Sequence, residues 1–501
     1  MEELLNRGPF HFPICLSTGF DRMRCATNRR HASCSRVSRV IDSVMRSLSR
    51  HFIAAPAVLL LVASAPSPGS GYSVLTHEQV VDLMWENRLQ PLLLKRFPGA
   101  SEEDLRKAHA YAYGGSLLQD MGYYPFGSKF FSDLVHYVRS GDFVKALLQD
   151  SSDLNEYSFA LGALSHYASD NSGHPTINRV VALEFPKLQR KYGNIVTYAD
   201  DPKEHIRTEF GFDMVQVAKN RYTSDRYHDM IGFEVAKPLL QRAFWETYGL
   251  RLEDVFGNVD LAIGSYRRSV STLIPEMTKV ALISRRDVIV KDTPTFDKKK
   301  FLYYLSRSNY EHEWGTVYRK PGIGARVLAL FLKLIPKVGP LKAVNFKIPT
   351  KQTEDMYIKS VDATVENYAG LLREEDKKQL DLPNRDCDTG AETRAGEYVL
   401  ADKTYADLID ELTKRNSEGL SSALRDNLLQ FYSDPAAPIA TKKNSKAWRK
   451  LQDELETLKL RTAVAVVNSE PGGTTRAPKH RHRKGGAVCA PQHLTSCAFD
   501  K

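Results

Sequence analysis

Two short stretches do most to limit what this chain can become. Residues 161–175 read Leu-Gly-Ala-Leu-Ser-His166-Tyr-Ala-Ser-Asp170-Asn-Ser-Gly-His174-Pro175, with His166, Asp170 and His174 four residues apart. On a helix, residues four apart lie one turn apart on one face, so His166 and Asp170 can converge on one point. Asn171-Ser-Gly and Pro175 predict that this helix ends there, which leaves His174 to face a neighbouring point. His205-Ile-Arg-Thr-Glu209 repeats the same spacing. Imidazole and carboxylate converging in this way suit a divalent cation, and zinc takes such a set where thiolate is absent.

Three more candidates share this chemistry. Asp120 lies in Ser116-Leu-Leu-Gln-Asp120-Met-Gly-Tyr-Tyr-Pro125, His136 in Asp133-Leu-Val-His136-Tyr, and His77 in Val74-Leu-Thr-His77-Glu78. His109 and His228 have no comparable carboxylate at helical spacing and read as ordinary buried or surface histidines. The cysteines exclude the competing metal chemistry. Cys15, Cys25 and Cys34 precede an apparent signal segment, Cys489 and Cys497 lie in the tail, and only Cys387 belongs to the body. No disulfide framework and no thiolate zinc site can be built there.

The 501 residues are 42% hydrophobic and 26% charged, which excludes wholesale disorder and a multi-span membrane protein. The net charge of +10 sits at the ends, because residues 72–470 hold equal numbers of basic and acidic side chains. A basic body is the usual footprint of a duplex binder, so long nucleic acid is a poor expectation here. Residues 52–63 are apolar but too short to span a bilayer, and Arg46 and Arg50 flank them as in a signal peptide. Residues 1–71 are therefore expected to be presequence and signal peptide. Met45 is the expected true start, with a genuine basic presequence as the alternative. Ala63-Ser64-Ala65 and Gly69-Ser70-Gly71 are both candidate cleavage sites, and the second leaves Tyr72 as the new N-terminus.

Apolar residues recur at spacings of three and four over 78–90, 101–121, 156–169, 203–219 and 259–283, and strand-like alternation is scarce. The expected fold is all-α. A catalytic domain over 72–290 and a helical accessory region over 298–465 are separated by a polar, Pro-containing linker, and 471–501 reads as a disordered basic tail. Within the accessory region, 321–342 is a short apolar run followed by lysines. It fits either a buried helix or one resting on a lipid surface.

The whole series resembles the zinc-dependent phospholipase C family, whose helical fold is shared with single-strand-specific nucleases. The order of ligands in that family is similar to the order here. By this resemblance the chain would hold up to three zinc ions. Asp120, His136, His166 and Asp170 would take one. His174, His205 and Glu209 would take a second, more exposed ion. His77, the backbone of Tyr72 and the other oxygen of Asp170 would take the third. In the family the first mature residue gives its amine, and a histidine follows five positions later, as His77 follows Tyr72. His174 follows Asp170 at a tighter gap than in some relatives, and Tyr72 stands where the family often has Trp.

Such clusters stabilise attacking and leaving oxygens in phosphate ester displacement, and zinc makes hydroxide available near neutral pH. The expectation is an exported hydrolase, periplasmic or extracellular, that cleaves phospholipid head-group esters, with Asp120 as candidate general base. Two rivals remain at this stage: a nuclease or nucleotidase on the same cluster, and a non-catalytic protein that keeps zinc for stability. Tyr123, Tyr124, Pro125 and Phe126 are candidate pocket residues in the first two readings and core aromatics otherwise.

Overall fold

The computed structural model describes residues 72–219, 233–270 and 346–461. The presequence and signal segment, His228, the linker, the run 321–342 and the basic tail lie outside these residues. Among the described residues the fold is all-α, and the sole extended pairing is an isolated bridge between Arg385 and Glu392. No described helix is long and apolar enough to cross a membrane.

The first helix, α1 (Val74–Met84), passes through a π-helical turn (Trp85–Leu89) into α2 (Gln90–Arg96). Next comes α3 (Glu102–Ser116), started by a Ser101–Asp104 capping box with three acidic residues at its positive end. A 3₁₀ turn (Gln119–Tyr123), α4 (Lys129–Tyr137) and α5 (Ser140–Asp150) follow.

The central element is α6 (Leu154–Glu184), capped by Asp153, whose side chain accepts from the Glu156 N–H. Buried residues occur all round its circumference, which is the pattern of a helix enclosed by others. Here the sequence expectation fails: α6 does not stop at Asn171–Pro175 but runs through Pro175 for 31 residues. Proline costs an interior helix one hydrogen bond and a steric clash, and the neighbours packed along α6 outweigh that cost.

The chain continues through α7 (Pro186–Tyr192), α8 (Pro202–Ala218), α9 (Lys237–Tyr248), α10 (Leu252–Val255) and α11 (Val259–Arg268). After 346 come α12 (Lys351–Asp376), α13 (Val399–Lys414), α14 (Ser422–Phe431) and α15 (Ser445–Leu460). These later helices share a core with the earlier ones. One apolar cluster runs from Val74 through Phe159 and Leu164 to Tyr405 and Leu458. The Tyr368 hydroxyl on α12 donates to the Leu161 carbonyl on α6 at 2.9 Å, and Tyr157 donates to Glu375 at 3.0 Å.

Close approach of α3 and α6 depends on glycine. A Cβ at Gly162 would overlap the Ala112 carbonyl, and one at Gly115 would overlap the Phe159 carbonyl. The backbones must separate to admit even one methyl group. Gly162→Ala should therefore lower stability by about 1–3 kcal/mol. Gly264→Ala on the exposed face of α11, where a Cβ meets nothing, should be neutral or stabilising by up to about 1 kcal/mol. Thermal or urea melts of the two variants check this, and equal midpoints would refute the packing argument.

Candidate metal centre

The long α6 places His166, Asp170 and His174 on consecutive turns of one face, and all three are fully buried. The other candidates converge on this row from α1, the 3₁₀ turn, α4 and α8. Three groups result, each with ligand atoms close enough to share an ion: Asp120 with His136 and His166; His77 with His166 and Asp170; His174 with His205 and Glu209.

Asp170 is the hub. Its Oδ1 faces His77 Nε2 at 3.5 Å, while its Oδ2 faces His166 Nε2 at 3.0 Å and His136 Nε2 at 3.3 Å. His136 Nε2 lies 3.6 Å from Asp120 Oδ1. The rings of His77 and His166 stack with centroids 4.3 Å apart. In the third group His205 Nδ1 and Glu209 Oε1 are 2.8 Å apart.

Hydrogen bonds to the far side of the rings orient them. His136 Nδ1 lies 2.7 Å from the Ser132 carbonyl, and His166 Nδ1 lies 2.8 Å from the Ser116 carbonyl. Donation there leaves both Nε2 atoms with lone pairs aimed at the centre, as metal-binding imidazoles require. His205 is reversed. Its Nε2 meets Asn178 Oδ1 at 2.8 Å and the Val196 carbonyl at 3.2 Å, so Nδ1 faces inward.

The electrostatics fit cations. Burial lowers the pKa of His77 and His174 and brings that of His205 to about 4, so these imidazoles are neutral and able to ligate at pH 7. Burial alone would raise Asp170, but His166, His136 and His174 overcome it and hold the carboxyl well below its ordinary value. Glu209 has less compensation, and burial pushes it well above the carboxylate range. Both ring nitrogens of His77 and His174 and both oxygens of Asp170 are buried without a hydrogen bond. Among the described ion pairs, Asp170 and Glu209 meet only histidines and no lysine or arginine. Buried polar groups left in this state are costly unless an ion satisfies them. Nitrogen and oxygen donors without thiolate suit zinc.

All three groups are buried: His174 and His205 are fully enclosed, and Glu209, at 4%, is the most exposed of the candidate ligand side chains. Tyr123 and Tyr124 are buried core residues, with Tyr124 packed on Tyr266, whereas Phe126 is 55% exposed. His109 does have a carboxylate partner, Asp82 at 3.1 Å, but it comes from another helix, and Trp85 and Tyr113 sandwich the ring.

Three further residues position the site. Asn178 continues the four-residue series on α6, and its Oδ1 meets His205. Asp213 continues the series on α8. Its carboxylate accepts from the Leu75 N–H at 3.0 Å and the Thr76 hydroxyl at 2.6 Å, pinning the first turn of α1 beside His77. Counting on by four from His174 and Glu209 finds both. Asp388, after α12, puts Oδ1 3.4 Å from His174 Nε2, and no sequence pattern links those two positions.

Residues 76–258 match a family model described as zinc dependent phospholipase C. Eight of the nine candidate ligands lie inside that match, and Tyr72 lies just before it. No curated protein and no solved structure matches the chain.

Burial raises the Asp213 pKa from 3.8 to about 6 against the bonds it accepts. The folded state therefore holds this proton more tightly than the unfolded chain. The resulting stabilisation is complete below about pH 4 and is lost as pH rises through about 6, a change of about 3 kcal/mol. Comparing Asp213→Asn with the parent over that range should show the stability gap moving by this amount in the variant's favour, and parallel curves would contradict it.

Proposed function

We propose that this chain, whose residues 76–258 belong to the zinc-dependent phospholipase C family, is an exported hydrolase that cleaves the head-group phosphate ester of phospholipids. The observation that carries the reading is Asp170, a buried carboxylate with one oxygen toward His77 and the other toward His136 and His166. A carboxylate placed this way can join two cations a few ångströms apart, the separation that phosphate ester displacement uses.

Asp120, His136, His166 and Asp170 would hold one ion, and His77 with Asp170 and the Tyr72 backbone another. His174, His205 and Glu209 would hold the third. Zinc bound there supplies a Lewis acid for the phosphoryl oxygens and acidifies a water molecule. The chain's own groups do the remaining work. Asp120 reaches into the centre beside His136 and is the group we assign to accept the proton of the attacking water. His77, His174 and His205, neutral at pH 7, add no positive charge of their own to the field at the phosphate.

Tyr72 supports a processed N-terminus at that position. Its ring is fully buried, and its hydroxyl donates to Ser360 on α12 at 2.8 Å. A Cβ at Gly173 on α6 would lie 2.6 Å from the ring, so only glycine leaves it room. An anchored side chain fixes where the α-amine lies, and an α-amine with a pKa near 7.7–8.0 can ligate when neutral.

The test compares protein beginning at Tyr72 with the same protein carrying one extra N-terminal residue. The first should contain about three zinc ions, one for each ligand group, and should release phosphorylated head group from phosphatidylcholine vesicles. The extended form should lose one ion and most of its activity. One ion or none, with no ester turnover in either form, would overturn the reading.

A further inference from the structure

The segment 382–398 lies outside the family match, yet it forms one wall of the metal centre. Its backbone is tied to the ligand-bearing helices at successive points. The Tyr167 hydroxyl donates to the Pro383 carbonyl at 2.6 Å, and the Ser140 hydroxyl to the Arg385 carbonyl at 2.6 Å. The Cys387 N–H donates to the carbonyl of His136 itself at 3.1 Å. Asn178, which orients His205 through its oxygen, uses its nitrogen to donate to the Asp388 carbonyl at 2.8 Å. Gly390, at φ +71°, lies against Asn171 and Pro175 on α6, where a Cβ would be 2.6 Å from the Asn171 oxygen.

These contacts present one side chain to the centre. Asp388 is 3% exposed. Its Oδ2 accepts from Tyr137 at 2.9 Å and from Tyr398, which leaves Oδ1 aimed at His174. Oδ1 lies 3.4 Å from His174 Nε2, yet that nitrogen makes no hydrogen bond. Two donors each about 2.1 Å from one tetrahedral ion stand about 3.4 Å apart. Close approach without a hydrogen bond is what two ligands of one cation show. The donor types agree: two imidazoles with two carboxylates are a nitrogen and oxygen set that a divalent ion such as zinc accepts.

We infer that Asp388 is a fourth protein ligand to the ion held by His174, His205 and Glu209, supplied by the region that follows the family domain. This rests on the metal-centre reading above. Three protein ligands leave a zinc ion an open position, and four close it. With zinc bound, Asp388 would occupy the position that a three-ligand site leaves to water or substrate.

Metal retention and cobalt spectroscopy of the full mature chain test this. Protein beginning at Tyr72 is loaded with zinc and dialysed against graded chelator, beside Asp388→Asn, Tyr398→Phe and His174→Ala. Asp388→Asn should release one ion at chelator strength lower by about 100-fold or more and keep the others, as His174→Ala does. Tyr398→Phe retains the carboxylate and one of its two tyrosine partners, and should lose affinity by about 10-fold, the low end for loss of such an outer contact. With cobalt in place of zinc, the visible spectrum of Asp388→Asn should differ from that of the parent, and Tyr398→Phe should match the parent. Circular dichroism melts identify any variant that has not folded, and Tyr398→Phe then carries the comparison. If Asp388→Asn keeps every ion as tightly as the parent with an unchanged cobalt spectrum, while His174→Ala loses one, the inference fails and the metal centre stands. If the parent itself binds no metal, the reading beneath it fails.

Discussion

The structure is organised around a carboxylate that has no business being buried alone. Asp170 sits at the middle of the central helix with no exposure, and the groups that meet it are imidazoles, not lysine or arginine. Burying such a charge costs several kcal/mol unless something of opposite sign answers it. The surrounding helices are therefore arranged to converge polar side chains on it: α1 brings His77, α4 brings His136, and the 3₁₀ turn brings Asp120. Each of those rings is held from behind or pinned through its own turn, so the convergence is built into the backbone. The remainder of the core encloses this convergence.

Much of the site was legible because helices repeat. A spacing of four residues marked His166, Asp170 and His174, and again His205 and Glu209, without knowledge of any fold. The same rhythm continues to Asn178 and Asp213, which lie one turn beyond the last ligand on each helix and act as braces. Pro175 misled the reading for a physical reason. Its cost is local, whereas α6 is packed on every side, and tertiary contacts decide whether a helix survives a proline. Asp388 escaped notice for a different reason: its contact with His174 comes from a segment far along the chain. No local pattern couples residue 388 to residue 174, because the coupling exists only through three-dimensional contact.

The region after 346 consequently bears on function as well as on packing. Its helix α12 anchors the Tyr72 hydroxyl, its Glu375 accepts from Tyr157, and its loop leans on His136, Asn178 and Pro175. Cys387, buried and with its thiol pushed far above its ordinary pKa by burial, behaves there as a small apolar residue and not as a nucleophile. The residues that match the family model thus supply the row of candidate ligands, and the later segment covers it.

That cover has a consequence for the order of events during synthesis. Asn178 and the Asp388 carbonyl it binds are 210 residues apart. At about 5–20 residues per second, a ribosome delivers the second roughly 10–40 seconds after the first. Helices that carry the ligand row can assemble in that interval while the wall facing His174 is still unmade. Until the later segment is made, His174 lacks the contact with Asp388 that the finished fold gives it, so an ion taken up by this centre would meet a different set of neighbours early in synthesis than late.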